Sequence, residues 1–574
     1  MVYSSSSMMR RAMTLPRKAL IIGLDGATWD LLMPWAQAGH LPTLARLVRE
    51  GAHGPLMTTI PPVSASAWVS FATGANPGVH GIFDFVFPKP GSTEIGVVNV
   101  TLRGAPPFWS FIEAAGGQVG LVSVPITYPP QPIRGFTVCG FLVPNQASPY
   151  TYPPELKEEL RRAVGPFPLH EFEGNRSRHV GRFLEDMLRF ERGRTAAVLY
   201  LMRHKPWDLF ACVFKTTDTV QHEVWHLLDP THPRHDAAQA AEFGPAILRY
   251  YQEIDALVGR ILAEAPPETF VVLMSDHGGG AFHKFFHVNN WLAAQGLLHF
   301  KRTPWSLVKR ALFRAGVTPV NALRLVNLLR LGRLRKNVKR GRGRGLLRRL
   351  FLSFDDVDWA RTRAFAVGNF GQIYINVKGE RPQGIVAPGE EYERLRDRII
   401  AAALALRDPQ TGEAVIRAAY KREEIYQGPR LRQAPDIILH TDRAKYVSFG
   451  HADFGSNRLI EPSIGQTGHH QMEGIVLLHG PGIAPGTVLQ GANIMDIAPT
   501  VLYALDLPIP AIMDGRPLTA AFTPAYLAAH PVQRFSSPLM EKGAGEGAAD
   551  GREDYTAEEH DQVMDRLRDL GYVA

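Results

Sequence analysis

KALIIGLDG, residues 18–26, decides the fold. Ala19 to Leu24 carry no polar side chain, and Asp25-Gly26 follows at once. A strand covered on both faces reads as such an unbroken apolar run, not as an alternation. The same form recurs in QVGLVSVP (118–125), DLFACVFKTTD (208–218) and TFVVLMSDHGGG (269–280). Between these runs lie helix-period segments, HLPTLARLVREG (40–51) and AILRYYQEIDALVGRILAEA (246–265). Apolar strands alternating with helices predict an α/β fold, a mostly parallel sheet sandwiched by helices. In such sheets, functional groups collect at the carboxyl ends of the strands.

Outward from this core the pattern changes. Residues 301–350 read as helical and basic, with 16 Lys or Arg and no Asp or Glu. The whole chain of 574 residues carries +8, so the remainder without this segment carries −8. An acidic body with one basic segment calls for an anionic partner or solvent on that segment. The expected organisation is a disordered extension over 1–17 and a first core part over 18–300. A basic segment and cap insertion over 301–445 follows, containing FGQIYINVKG and APDIILH. EGIVLLHGPGI (473–483) and MDIAPTVLYALDLP (495–508) return to the core style, so a second core part is expected over 446–520. A linker and short amphipathic helix close the chain over 521–574. No internal repeat is present.

Cys139 and Cys212 lie far apart, which argues against a disulfide framework or a cysteine metal site and fits a reducing compartment. No apolar run of about 18 residues occurs, and MVYSSSSMMRRAMTLPRK does not read as a secretory signal. A cytoplasmic protein is expected, with membrane association through 301–350 as an added option.

Several strand ends bring acids and histidines: Asp25, then Asp218 and His222 at i, i+4, then Asp276 and His277. His469 and His470 precede a later strand. Such oxygen and nitrogen donors suit zinc and manganese. Each alone reads equally as a cap or a surface residue; the joint pattern within one alternating region points to a metal site. PPVSASAWVSFATG, residues 61–74, adds the hydroxyls of Ser64, Ser66, Ser70 and Thr73.

In order, LIIGLDGATWD, HLPTLARLVREGAHG, PPVSASAWVSFATGANPGVHGIFDF, FKTTDTVQHEVWH, MSDHGGG, GHHQMEGIVLLHGPGI and DIAPTVLYALDLPIPAIMDGRPL resemble the alkaline phosphatase superfamily. Within it they resemble the type I phosphodiesterase/nucleotide pyrophosphatase branch. The resemblance implies an alkaline-phosphatase-like fold and two divalent ions, zinc first and manganese as the alternative. It implies Ser64 as nucleophile, about ten residues before the glycine of a Thr-Gly pair. One ion would be held by Asp218, His222 and His470, the other by Asp25, Asp276, His277 and the Ser64 oxygen. His470 is preferred to His469 because it stands four residues before Gly474. Metal coordination activates a serine hydroxyl that is otherwise a poor nucleophile, and paired ions clamp the attacking and leaving oxygens. A phosphoseryl intermediate on Ser64, then hydrolysed by water, is the implied course.

The chain departs from the branch at Ala67, where nucleotide pyrophosphatases carry an asparagine that helps hold a phosphate oxygen. This bears on nucleotide diesters as substrate, not on the metal chemistry. Ser66, His283, Lys284 and His287 are candidate substrate-binding residues. The expected function is a phosphodiesterase-type hydrolase on a phosphate-ester substrate. The alternatives are a phosphomonoesterase or phosphomutase-like enzyme, or a non-catalytic lipid- or polyanion-docking protein. A sulfatase is disfavoured because the Cys/Ser-x-Pro-x-Arg signature is missing near residue 64. Nucleic acid is not expected on the basic segment, since no aromatic residue is interleaved through 321–350.

Overall fold

A computed structural model describes residues 17–171, 179–322, 351–441, 445–450, 454–536 and 555–570. The expected extension over 1–17 lies outside these residues except for Arg17, and so does the basic stretch 323–350.

The main sheet has ten strands. In chain order they are β1 (Ala19–Leu24), β2 (Ala52–Met57), β3 (Val119–Val122), β4 (Gly135–Val138) and β5 (Thr151–Tyr152). Then come β6 (Leu209–Phe214), β7 (Phe270–Met274), β8 (Glu473–His479), β9 (Thr487–Val488) and β10 (Ala492–Asn493). Their spatial order is β9-β2-β8-β7-β1-β6-β3-β4-β5, with β10 on β2. The five central strands, β7-β1-β6-β3-β4, run parallel. β8 runs antiparallel to both β7 and β2, and β5 antiparallel to β4.

β1 is buried along its whole length because each face meets a helical layer. Leu20, Ile22 and Leu24 pack with residues of the Val180–His204 and Ala237–Glu264 helices. Ala19 and Ile21 turn to the other face, toward the Ser64–Thr73 and Ile497–Ala504 helices. The period-two geometry of the strand splits one apolar run between two cores. Each fully buried Leu or Ile contributes about 1.5–3 kcal/mol.

The Ser64–Thr73 helix is buried at all ten positions, so its small residues are packing choices as well as chemical ones. Trp68 lies on the sheet where Gly23 leaves room; a Cβ there would fall 2.5 Å from the indole Cη2. Trp68 is thus a packing residue.

A second sheet, four-stranded and antiparallel, is built from Ala364–Ala366, Gln372–Ile375, Ile437–Thr441 and Ile416–Lys421. FGQIYINVKG and APDIILH supply its two central strands. The Glu390–Leu404 helix packs against this sheet. The carboxy-proximal Ala557–Leu570 helix docks into the same core through Val563, Leu567 and Leu570. Arg566 fastens it by donating to the Val143 and Pro144 carbonyls. Both cysteines are buried and unpaired. Among the described residues, no helix is long and apolar enough to cross a membrane.

Candidate active site

Three central strands deliver their carboxyl ends to one point. Asp25 follows β1, the Thr216–Leu228 helix begins two residues after β6, and Asp276-His277 lie just beyond β7. Gly26 adopts φ +69, and a Cβ there would come within 3.1 Å of the Asp218 Cβ. The glycine therefore lets the first turn of that helix close onto β1. His469 and His470 arrive on the Gly468–Gln471 strand, paired antiparallel with Gly278–Ala281.

The histidines share one arrangement. His222 Nδ1 stands 2.7 Å from the Gly468 carbonyl, and His470 Nδ1 stands 2.8 Å from the Pro62 carbonyl. His277 Nδ1 stands 2.9 Å from the Gly278 carbonyl. A carbonyl only accepts, so each Nδ1 carries the ring hydrogen. In a neutral ring with its hydrogen on Nδ1 the lone pair sits on Nε2, the atom that all three turn inward. Burial holds His277 and His470 below the usual imidazole range and so favours the neutral form. This backbone anchoring of the distal nitrogen is characteristic of metal-ligating histidines.

The inward atoms form a tight set. His222 Nε2, His470 Nε2 and Asp218 Oδ1 make a triangle with edges of 3.2, 3.5 and 3.2 Å. Three acceptors cannot bond one another, yet ligands about 2.0 Å from a tetrahedral ion stand roughly 3.3 Å apart. The triangle fits that spacing. Beside it, His277 Nε2 lies 3.0 Å from Ser64 Oγ, 3.4 Å from Asp276 Oδ2 and 3.7 Å from Asp25 Oδ1. Both carboxylate oxygens of Asp25 and Oδ2 of Asp276 are buried without a hydrogen-bond partner. Buried, orphaned carboxylate oxygens are costly unless a cation joins them. The donor atoms of Asp25, Asp276 and His277 lie within 4.8 Å of one another, as do those of Asp218, His277 and His470.

The electrostatics follow from crowding. Burial, then repulsion from Asp276, raises Asp25 well above the ordinary carboxylate range. Burial and the Asp218 charge push Asp276 up to about 7. Burial also acts to raise Asp218, but His222 and Lys215 outweigh it and hold Asp218 well below the usual range.

Lys215 is the residue that sequence reasoning missed. Its Nζ donates to Asp218 Oδ2 at 2.9 Å and stands 3.9 Å from Asp25 Oδ2. It occupies the outer oxygen of Asp218 and leaves Oδ1 toward the histidines. A lysine directly at the end of an apolar strand, three residues before the aspartate, was the available signal.

Ser64 opens its helix, where the amide dipoles favour negative charge. Two other hydroxyls of the helix are engaged structurally: Ser70 Oγ meets His80 Nε2 at 2.9 Å, and Thr73 Oγ1 donates to the Val69 carbonyl. Ser66 is buried two residues further along. His469 takes a different part from His470, since its Nδ1 accepts from the His470 amide. The structure does not bring His283, Lys284 and His287 to the Ser64 cluster. Lys284–His287 runs as a strand between Tyr446–Phe449 and Ile460–Pro462. Lys284 donates to Asp408 and Gln410, His287 meets Glu461, and His283 packs its ring against His232.

A cavity of about 530 Å³ opens between the cluster and the second sheet, lined by Asp30, Asn369, Phe370, Arg417, His440 and His470 among others. The Phe370 ring stands 5.3 and 5.4 Å from the His469 and His470 rings. The junction between the two sheets also holds Asp84, pushed by burial up to about 7 against the lowering pull of the Phe85 and Asn369 amides. A Cβ at Gly368 would fall 2.1 Å from its Oδ2 and 2.7 Å from Gln372 Oε1, an acceptor without a partner. The folded-state value lies above the unfolded one. Its stabilising contribution is therefore full below about pH 4 and lost as pH rises through about 7. Asp84→Asn is neutral and offers a donor toward Gln372. Its Tm is expected to match the wild type only below about pH 4 and to exceed it increasingly up to about pH 8, with a limit of order 4 kcal/mol. Thermal melts across that range check this; a constant difference would refute it.

Fold and site together define a phosphoester hydrolase of the alkaline phosphatase superfamily. Residues 19–455 match the family model for "Type I phosphodiesterase / nucleotide pyrophosphatase", and the chain belongs to that family. Phosphonoacetate hydrolase from Sinorhizobium meliloti 1021, solved with phosphonoacetate, shares the fold at 16% identity. That alignment covers 85% of this chain and 95% of the other, with a TM-score of 0.51. Human ectonucleotide pyrophosphatase/phosphodiesterase 5 aligns at 13% identity over 90% of this chain and 99% of the other, with a TM-score of 0.45. No curated protein sequence matches the chain.

Proposed function

We propose that the protein is a metal-dependent phosphodiesterase that works through a phosphoseryl intermediate on Ser64. One observation carries the reading: three histidines anchored through Nδ1 to backbone carbonyls turn Nε2 toward the carboxylates of Asp25, Asp218 and Asp276, Ser64 Oγ stands 3.0 Å from one of these nitrogens, and both Asp25 carboxylate oxygens and Asp276 Oδ2 are buried without a hydrogen-bond partner. Asp218, His222 and His470 would hold one ion; Asp25, Asp276, His277 and Ser64 Oγ would hold the other. Zinc suits this donor set and manganese is the alternative. Bound divalent ions supply Lewis acidity that lowers the serine pKa and offsets charge on the phosphoryl oxygens.

The chain's own groups do the rest. Ser64 Oγ attacks phosphorus, the bond from phosphorus to the leaving alkoxide breaks, and the phosphoryl group rests on Ser64. The helix beginning at Ser64 points its dipole at the transferred oxygens. Lys215 keeps Asp218 aimed. Water then attacks phosphorus, the Ser64–phosphorus bond breaks, and the serine is restored. Ala67 offers no amide to a phosphoryl oxygen, while Asn369 lines the cavity from the second sheet.

The test is hydrolysis of a chromogenic phosphodiester and its matching monoester after chelator treatment and reloading with zinc or manganese. Diester cleavage is expected to vanish on stripping and to return on reloading. Undiminished turnover after complete metal removal would sink the reading. A preference for the monoester would reassign the protein to the phosphomonoesterase side.

A further inference from the structure

The Pro304–Arg314 helix has its polarity reversed. Its buried residues are Ser306 and Lys309, both held by the buried Asp356: Ser306 Oγ donates to Oδ1 at 2.8 Å and Lys309 Nζ donates to Oδ2 at 2.9 Å. Phe313 covers part of the inner face by packing against Phe454. The outer face is apolar. Trp305 is 50% exposed, Leu307 48% and Val308 45%, and Val317 just beyond the helix is 48% exposed. Pro304, Ala311 and Ala315 fill the spaces between them and are exposed too. Four of the eleven exposed large apolar residues among the described ones thus lie within thirteen positions. Soluble surfaces scatter such residues singly; a contiguous cluster marks an interaction face.

The charge carried by the helix and its flanks is of one sign, although the exposed Asp355 stands beside Lys301 from the neighbouring Phe354–Asp356 turn. Lys301, Arg302 and Arg314 are exposed beside it, Arg310 lies over the Phe300 ring, and residues 301–322 contain no acid. By sequence, the next 28 residues add eleven Lys or Arg and again no acid, in a chain whose remainder is acidic. An exposed tryptophan and aliphatic side chains rimmed by cations match the interface of an anionic bilayer, where apolar groups enter the acyl boundary and cations meet the headgroups. Among the exposed large apolar residues of this face only Trp305 is aromatic, and one ring gives no platform for successive bases, which disfavours single-stranded nucleic acid.

We propose that the Trp305–Val317 face is a docking surface for anionic lipid, which would hold the hydrolase at a membrane surface without a spanning segment. The Asp356 clamp has a part in this: it satisfies the polar groups of the helix from inside and turns the apolar groups outward. This inference stands apart from the assignment of the active site, since none of these residues belongs to the Ser64 cluster.

Sedimentation of the full-length protein with phosphatidylcholine vesicles, with and without phosphatidylglycerol, tests it. Binding is expected only with phosphatidylglycerol and is expected to weaken with salt. The variant Trp305→Ser/Leu307→Ser/Val308→Ser should lose roughly ten-fold or more in partitioning, with Tm and hydrolysis of a soluble substrate unchanged. A second variant, Arg302→Glu/Arg314→Glu, should lose binding while keeping the apolar face. Three results would each overturn the proposal: no sedimentation of the wild type with either vesicle, binding unchanged in both variants, or equal binding to both lipid compositions. Association of copies without lipid, abolished by the serine variant, would assign the face to a second copy instead. Displacement from vesicles by single-stranded nucleic acid at equal charge, unaffected by the serine variant, would also count against it.

Discussion

Ser64→Ala is expected to lower kcat by roughly a thousand-fold or more while metal content stays close to that of the wild type. The hydroxyl is the only group removed, and it lies 3.0 Å from His277 Nε2 at the start of a fully buried helix. Alanine fits that helix without strain, so stability should hold. The Asp218, His222 and His470 triangle is untouched by the change. Elemental analysis beside steady-state kinetics separates the two quantities. Retention of full activity would move the nucleophile away from Ser64, and Ser66 would be examined next. Trapping acid-stable phosphate on the wild type, but not on the variant, would mark the covalent step directly.

Asp276→Asn is expected to act in the opposite order, by removing metal first and activity as a consequence. Asparagine keeps an acceptor for the Gly26 amide, which donates to Asp276 Oδ1 at 3.2 Å. It removes the charge from a buried oxygen that has no hydrogen-bond partner. With metal present, the wild type gains about 2.7 kcal/mol at a hundred-fold excess over Kd, and the variant should gain far less. Under chelator the ranking should reverse or vanish. Asp25, Asp218 and Asp276 repel one another across a buried site, and one charge fewer relieves that repulsion. Tm measured for both proteins with and without metal therefore yields a crossed pattern. A variant less stable than the wild type even under chelator would make Asp276 a structural residue and contradict the ligand role.

Much of this was legible in the sequence because it is written locally. The apolar run at 19–24 and its counterparts at 119–122, 209–214 and 270–274 became the parallel core, since a doubly covered strand needs no long-range information to be recognised. Asp25, Asp218 and Asp276 could be read as site candidates because the carboxyl ends of neighbouring strands open to one edge. The antiparallel course of β8 was not legible: an apolar run has no direction, and only its pairing with β7 and β2 sets one.

His283, Lys284 and His287 show the limit of reading by proximity in the chain. Lys284 and His287 stand close after His277 in sequence, but the Lys284–His287 strand carries them to Asp408 and Glu461. The Pro304–Arg314 helix shows a second limit. Its sequence is amphipathic either way round, and Asp356, more than forty residues on, decides which side faces inward.

By itself, then, the sequence determined the inventory: an α/β core, the strand-end acids and histidines, the serine-rich helix and one acid-free basic segment. The tertiary structure alone decided which atoms meet. Pro62, Gly468 and Gly278 carbonyls select the hydrogen-bearing nitrogen of His470, His222 and His277, and two of those three pairs span more than two hundred residues. Lys215 turns one oxygen of Asp218 outward and leaves the other in. Ligand chemistry depends on tautomer and on tenths of an ångström, and both are set by contacts between segments that composition and spacing do not encode.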